Sequence, residues 1–161
     1  MSNCCDASAC APEAGVGDVC PGCRTKGKPV ELSTVKALLT ESALARFSRG
    51  AYRFCADSAC DTVFFDESGY TFTRADVRVP VWQKEPFGSR MVCYCFGENE
   101  ANIGAEMLRD GLSRAVQRVT AHIQAGRCAC EVRNPRGQCC LGDVAAAVKR
   151  VAASLEPRVD A

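Results

Sequence analysis

The spacing of apolar side chains predicts one helix and a small sheet in the first half of the chain. After Ser33, a suitable N-cap, apolar residues recur three or four positions apart and predict a helix that ends between Phe47 and Gly50. Three segments rich in aromatic and β-branched residues predict strands at 51–54, 62–66 and 70–73. The first half is therefore expected to place a helix beside an antiparallel sheet.

Helical periodicity dominates the second half. Asn99 is a suitable N-cap for a helix whose apolar positions continue to Ile123. Two internal glycines are placed to kink or shorten it: Gly104 and Gly111. A last helix is expected to begin at Gly142 or Asp143 and to run to about Leu155.

A polar segment broken by proline and glycine, residues 83–90, predicts a boundary between the two halves. The expected organisation is a flexible tail, two small units and a second tail: 1–19, 20–89, 90–156 and 157–161. Taken with the metal sites below, the expected fold class is α+β, a small zinc-stapled helix-and-antiparallel-sheet unit followed by a helical unit that binds a 2Fe-2S cluster.

Charge and composition exclude several functions. The 161 residues include 20 Lys and Arg against 19 Asp and Glu, so no basic surface for nucleic acid is expected. No apolar run is long enough to span a membrane and the N-terminus lacks the pattern of a signal peptide, which predicts a cytoplasmic protein that is not membrane-embedded. No motif supports hydrolase or kinase chemistry.

The chain contains thirteen cysteines, and this number indicates the class of protein to expect. In a reducing compartment clustered cysteines bind metal more often than they form disulfides. The first predicted site pairs a Cys-x2-Cys turn with a Cys-x4-Cys loop and suits structural zinc: Cys20, Cys23, Cys55 and Cys60. The alternatives are a redox-active Cys20–Cys23 pair, disfavoured because no βαβ frame surrounds it, and two unrelated pairs.

The second predicted site draws on six cysteines in two groups: Cys93, Cys95, Cys128, Cys130, Cys139 and Cys140. The last two precede a helix whose N-terminal amides favour negative charge, as the thiolates of a 2Fe-2S cluster require. Nearby arginines would stabilise such a cluster or are ordinary solvated loop residues: Arg90, Arg127, Arg133 and Arg136. In the tail, Cys4, Cys5 and Cys10 either wrap a soft ion such as copper(I) or have no role.

Both sites lie in motifs that resemble a known family. The motifs are Cys20-Pro21-Gly22-Cys23, Phe54-Cys55 with Cys60, Val92-Cys93-Tyr94-Cys95-Phe96-Gly97, Cys128-Ala129-Cys130-Glu131, Asn134-Pro135, Gly137 and Cys139-Cys140-Leu141-Gly142-Asp143. Over roughly residues 19–150 they resemble the N-terminal metallodomain of the archaeal CopZ-type copper chaperones. The second half is also similar to bacterioferritin-associated ferredoxins, small helical proteins that hold a 2Fe-2S cluster between a Cys-x-Cys and a later cysteine pair.

The resemblance implies one zinc ion, one 2Fe-2S cluster and a role in copper handling that includes reducing copper(II). The further copper domain of those chaperones, with its Met-x-Cys-x-x-Cys loop, has no counterpart in these 161 residues. Which two later cysteines join Cys93 and Cys95 stays open. Cys130 with Cys140 is preferred because Cys140 then lies nearest the helix amides.

We therefore expect a cytoplasmic metal-homeostasis protein, a copper chaperone or reductase accessory that transfers one electron through its cluster. Its partners would be a soft metal ion such as copper and a redox partner or metal transporter. The alternatives are a small ferredoxin-type carrier without metal cargo and a structural or redox-sensing module. His122, the only histidine, is expected to pack or cap a helix, and Trp82 and Phe87 to join the units or contact a partner.

Overall fold

The computed structural model describes residues 16–156 and contains helices and antiparallel strands, as predicted. The N-terminal half, residues 16–90, holds a four-stranded antiparallel sheet in the order β1-β2-β3-β4. Its strands are β1 (Lys28–Val30), β2 (Tyr52–Phe54), β3 (Thr62–Asp66) and β4 (Thr71–Thr73). The last three match the predicted strands, whereas β1 was not predicted because its Lys28 and Pro29 are residue types that are uncommon in strands.

The helix predicted after Ser33 is two helices, α1 (Leu32–Leu38) and α2 (Glu41–Leu44). The prediction of one helix was wrong because Leu39 is extended, with ψ of 144°, and bridges to Val77. Thr40 then caps α2 by accepting a hydrogen bond from the Ala43 amide at 3.3 Å. Because Leu39 is fully buried in this conformation, packing of its side chain outweighs the helical periodicity.

The C-terminal half, residues 91–156, begins with a hairpin that the sequence did not predict. Strands β5 (Met91–Cys93) and β6 (Glu98–Asn99) pair antiparallel and lead into four helices. The helices are α3 (Glu100–Asp110), α4 (Ala115–Gln124), α5 (Cys130–Arg133) and α6 (Leu141–Leu155). One buried core joins the hairpin to α3, α4 and α6.

Glycine at position 111 determines where α3 ends. Asn99 caps α3 as predicted, accepting a hydrogen bond from the Asn102 amide at 2.8 Å. Gly111 adopts φ of 77°, a conformation that favours glycine, and the chain turns before α4. The expected long helix is therefore two helices, while Gly104 lies within α3 without breaking it.

The two halves contact one another through main-chain and side-chain hydrogen bonds. Thr34 on α1 donates to the carbonyl oxygen of Glu131 on α5 at 2.6 Å. The Trp82 amide donates to the Tyr94 hydroxyl at 3.1 Å, and that hydroxyl donates to the Pro80 carbonyl at 2.8 Å. The helices of residues 16–156 are all too short or too polar to cross a membrane.

Candidate metal centres

Four cysteine sulfurs meet at one point in the N-terminal half. Cys20 and Cys23 lie in the turn before β1, Cys55 directly follows β2, and Cys60 precedes β3. All four sulfurs lie within 4.8 Å of one another. The Cys20–Cys60 sulfur distance is 3.8 Å and the Cys23–Cys55 sulfur distance is 3.6 Å, and both pairs join the turn to the loop.

The backbone of the turn explains why both of its thiols face the loop. The Cys20 amide donates to the Thr25 carbonyl, and the Arg24 amide donates to the Cys20 carbonyl, both at 2.8 Å. A Cβ atom at Gly22 would lie 3.1 Å from the Cys60 sulfur. Glycine therefore allows this turn to approach the second pair of sulfurs closely.

The spacing of the four sulfurs fits a tetrahedral zinc ion. Zinc–sulfur bonds of about 2.3 Å in a tetrahedron place neighbouring sulfurs about 3.8 Å apart. The observed pairs match that value, and Cys20 and Cys55 are buried beside Phe65. A disulfide between Cys20 and Cys23 would not require the other two thiols to converge here.

Hydrogen bonds and burial shift the pKa values of the cysteines in this site to different extents. Burial raises the pKa of Cys23, but hydrogen bonds from the Thr25 side chain and amide outweigh it and bring the pKa to about 7. Burial raises the pKa of Cys55 and of Cys60, and Thr62 partly offsets the shift at Cys60. Sequence reasoning missed these threonines, although Cys-x-Thr occurs after both motifs and was the available signal.

A second set of thiols meets where the hairpin, α5 and α6 begin or end. Cys93 ends β5, Cys95 lies in the following turn, Cys130 begins α5, and Cys140 precedes α6. The Cys95 and Cys130 sulfurs are 3.7 Å apart, and the Ala129 amide donates to the Cys95 sulfur at 3.3 Å. Cys93, Cys130 and Cys140 are buried in the core of this half.

Contacts between thiols and burial shift the pKa values of the cysteines in this second set. A hydrogen bond with Cys140 lowers the pKa of Cys93 to about 7, and the same contact raises the pKa of Cys140. Burial raises the pKa of Cys130 to about 11. Within residues 16–156, only the first site brings all its sulfurs within 4.8 Å of one another. The sulfurs of the second set do not all lie within this distance of one another.

The remaining predicted residues are not among these two sets of four sulfurs. Cys128 is half-buried against the second core and Cys139 is exposed, while Cys4, Cys5 and Cys10 lie outside the described residues. Two predicted arginines form ion pairs with residues of the C-terminal half: Arg136 with Asp143 and Arg90 with Glu100. His122 stacks on Phe96 with ring centroids 4.0 Å apart, in agreement with a packing role.

Comparisons with known proteins find similarity to metal-binding domains. A family model described as a zinc binding domain, zf_CopZ, matches residues 17–78. The X-ray structure of the CopZ N-terminal domain from Archaeoglobus fulgidus is similar at a TM-score of 0.64 and 27% identity. The similarity covers 80% of this chain and 95% of that chain. A search of curated proteins finds no match.

These findings support a metal-binding protein with a four-cysteine zinc site in a fold of helices and antiparallel strands. The family match covers all four cysteines of the compact site, from Cys20 to Cys60. The structural similarity extends over both halves of the chain.

Proposed function

We propose that the chain serves in soft-metal homeostasis with two metal centres of different kinds. Zinc would be held by Cys20, Cys23, Cys55 and Cys60, and a 2Fe-2S cluster by Cys93, Cys95, Cys130 and Cys140. The observation that carries the proposal is the difference in sulfur arrangement. The first set is compact enough for one ion, whereas the sulfurs of the second set, at the ends of the elements that frame it, do not all lie within 4.8 Å of one another.

The residues around the second set are suited to an anionic centre. Amide hydrogen bonds from Ala129 to Cys95, and from Phe96 and Cys95 to Cys93, stabilise negative charge on sulfur. Cys140 directly precedes the first turn of α6, where unpaired amides favour thiolate. A 2Fe-2S cluster bound there would supply one-electron transfer, with a potential raised by these amides.

Copper is the proposed cargo because its chemistry fits both the cofactor and the cysteines. Reduction of one copper(II) ion to copper(I) consumes one electron, which is what a 2Fe-2S centre exchanges. Copper(I) prefers thiolate ligands. The resemblance to CopZ-type chaperones supports the same substrate, and Cys4, Cys5 and Cys10 are the proposed holding thiols.

A second candidate function is a ferredoxin-type carrier without metal cargo. It is favoured by the scarcity of accessible thiols, because Cys139 is the only exposed cysteine within residues 16–156. The two functions share the cluster and differ in what receives the electron. They also differ in whether the tail cysteines matter.

Copper(II) reduction by the protein itself separates these functions. Cluster-loaded protein would be reduced under anaerobic conditions, freed of reductant, and mixed with copper(II) and a colorimetric copper(I) chelator. We expect about one copper(I) per reduced cluster, and loss of the reaction in Cys130→Ser. Replacing Cys4, Cys5 and Cys10 with Ser should leave reduction intact but abolish retention of copper(I) in the absence of chelator. If no copper(I) forms, the copper-handling function is wrong and the ferredoxin-type carrier is the remaining candidate.

A further inference from the structure

Lys84 is a buried cation beside the four-cysteine site. Its side chain comes from the segment between the two halves, at the end of the short helical turn Trp82–Lys84, and the residue is only 6% exposed. The ammonium nitrogen donates to the carbonyl oxygens of Asp57 at 2.7 Å and Cys60 at 2.8 Å. Both carbonyls belong to the loop that presents Cys55 and Cys60. The ammonium therefore holds the loop that carries two of the four sulfurs.

Among residues 16–156, no carboxylate forms an ion pair with this ammonium group. The nearby carboxylate of Asp57 is instead occupied by the Ala59 amide and the Thr25 hydroxyl. Carbonyl dipoles solvate an ammonium only in part, and a buried charge without a counter-charge is strongly unfavourable.

The missing negative charge is supplied by the thiolates when a divalent ion is bound. Four thiolates around one divalent cation carry a net charge of −2, from four negative and two positive charges. Burial raises the pKa of Cys55, and the positive charge of Lys84 opposes that shift. The lysine and the metal–thiolate centre are therefore complementary.

We propose that Lys84 is the charge-compensating and positioning residue of the four-cysteine site. It stabilises the anionic tetrathiolate centre by its charge, and it fixes the loop between Cys55 and Cys60 through the two carbonyls. The inference rests on the proposed occupancy of this site by zinc. Residues that act on metal ligands from outside the coordination sphere typically change metal affinity by about 10- to 100-fold when replaced.

Zinc affinity of Lys84 variants tests this assignment, measured on the full chain by competition with a chromophoric chelator. Lys84→Met keeps most of the apolar stem and removes the charge, and we expect zinc affinity to fall about 10- to 100-fold. Lys84→Arg keeps the charge, and its zinc affinity should lie within a few-fold of the wild-type value. Lys149→Met, which removes an exposed charge on α6, should bind zinc as wild type does.

Two outcomes would overturn the proposal: wild-type zinc affinity in Lys84→Met, or an equal loss in Lys84→Met and Lys84→Arg. If Lys84→Met does not fold, Lys84→Gln applies the same test, since its amide still donates to the carbonyls but carries no charge. Emission of the sole tryptophan, Trp82, reports whether each variant keeps the turn folded. If wild-type protein binds no zinc, the zinc site itself is wrong, which is a distinct result.

Discussion

The two cysteine sets use one residue type in different backbone settings. In the N-terminal half the sulfurs project from a turn and a loop beside a sheet, and all lie within 4.8 Å of one another. In the C-terminal half they come from a hairpin and the starts of helices, and the Cys95 and Cys130 sulfurs are 3.7 Å apart. The number of thiols alone does not distinguish these arrangements. The two arrangements differ in the secondary-structure elements that present the thiols.

The surroundings of the two sets differ as well. Beside the compact site, Thr25 and Thr62 hydrogen-bond to thiols and a buried lysine holds the loop. The second set is enclosed by an apolar core that includes Val92, Val119 and Val144. We therefore expect the first half to depend on its metal for folding, and the second half to retain helical structure without one.

The largest expected effect comes from removing one sulfur of the compact site. Cys55→Ser should abolish zinc binding and destabilise the N-terminal half by more than about 4 kcal/mol, because a three-thiolate site loses the metal that supports the sheet. Metal analysis and denaturant unfolding would measure both changes. Cys139→Ser, at an exposed cysteine, is the matched control and should alter neither. Unchanged zinc content in Cys55→Ser would contradict the assignment.

The second prediction tests the ligand set in the C-terminal half. Cys130→Ser should eliminate stable iron incorporation, whereas Cys128→Ser, two residues earlier and half-buried, should retain it. Zinc content should stay the same in both variants, since the four-cysteine site is separate. Iron and zinc analysis after anaerobic reconstitution provides the measurement. Equal iron loss in the two variants would show that the proposed four ligands are wrong.

The third prediction concerns the contact between the halves. Tyr94→Phe removes a hydroxyl that accepts from the Trp82 amide and donates to the Pro80 carbonyl. Leaving these main-chain groups unpaired should lower the free energy of unfolding by about 1–3 kcal/mol. Tyr70→Phe serves as the control, because its hydroxyl accepts a hydrogen bond from the exposed Arg46 side chain and its loss should have a smaller effect. Equal stability changes in the two variants would show that the Tyr94 contact contributes nothing specific.

The smallest expected effect lies in the helices of the C-terminal half, away from the thiols. Hydrogen bonds from Arg118 and Ser113 lower the pKa of Glu106 to about 2, from an ordinary value of 4.5. A carboxylate with a lowered pKa stabilises the fold above its ordinary pKa, and that contribution disappears as the pH falls toward 2. Glu106→Gln should therefore be less stable than wild type at neutral pH, by less than about 1 kcal/mol.

Unfolding of Glu106→Gln and wild type would be measured between pH 7 and pH 2. The stability difference should narrow as the pH falls from about 4.5 toward 2. Glu131→Gln, at an exposed glutamate on α5, is the control for removing a carboxylate elsewhere in this half. A difference that stays constant over this range would contradict the role given to Glu106.

Local signals in the sequence were sufficient for several elements. The strands β2, β3 and β4 follow aromatic and β-branched segments, and the Asn99 cap fixes the start of α3. The fold class of helix with antiparallel sheet, and the four-cysteine zinc site, also followed from residue types and spacing. Each of these features could be predicted because a few neighbouring residues indicate it: an aromatic and β-branched segment, a capping residue, or two closely spaced cysteines.

Other features depend on contacts between distant residues. The break at Leu39 arises because its buried side chain and its bridge to Val77 override helical periodicity. The hairpin β5–β6 and the single turn of α5 are too short to carry a periodic signal. Lys84 gave no signal as a site residue because its importance depends on a loop more than twenty residues away.

The metal and sulfide content of the wild-type chain shows whether it holds two different metal centres. After anaerobic purification and cluster reconstitution, we expect about one zinc, two iron and two sulfide per chain, with visible absorption from the iron centre. In Cys55→Ser prepared the same way, zinc should disappear while iron remains. A colourless wild-type protein without iron would contradict the claim of two different centres.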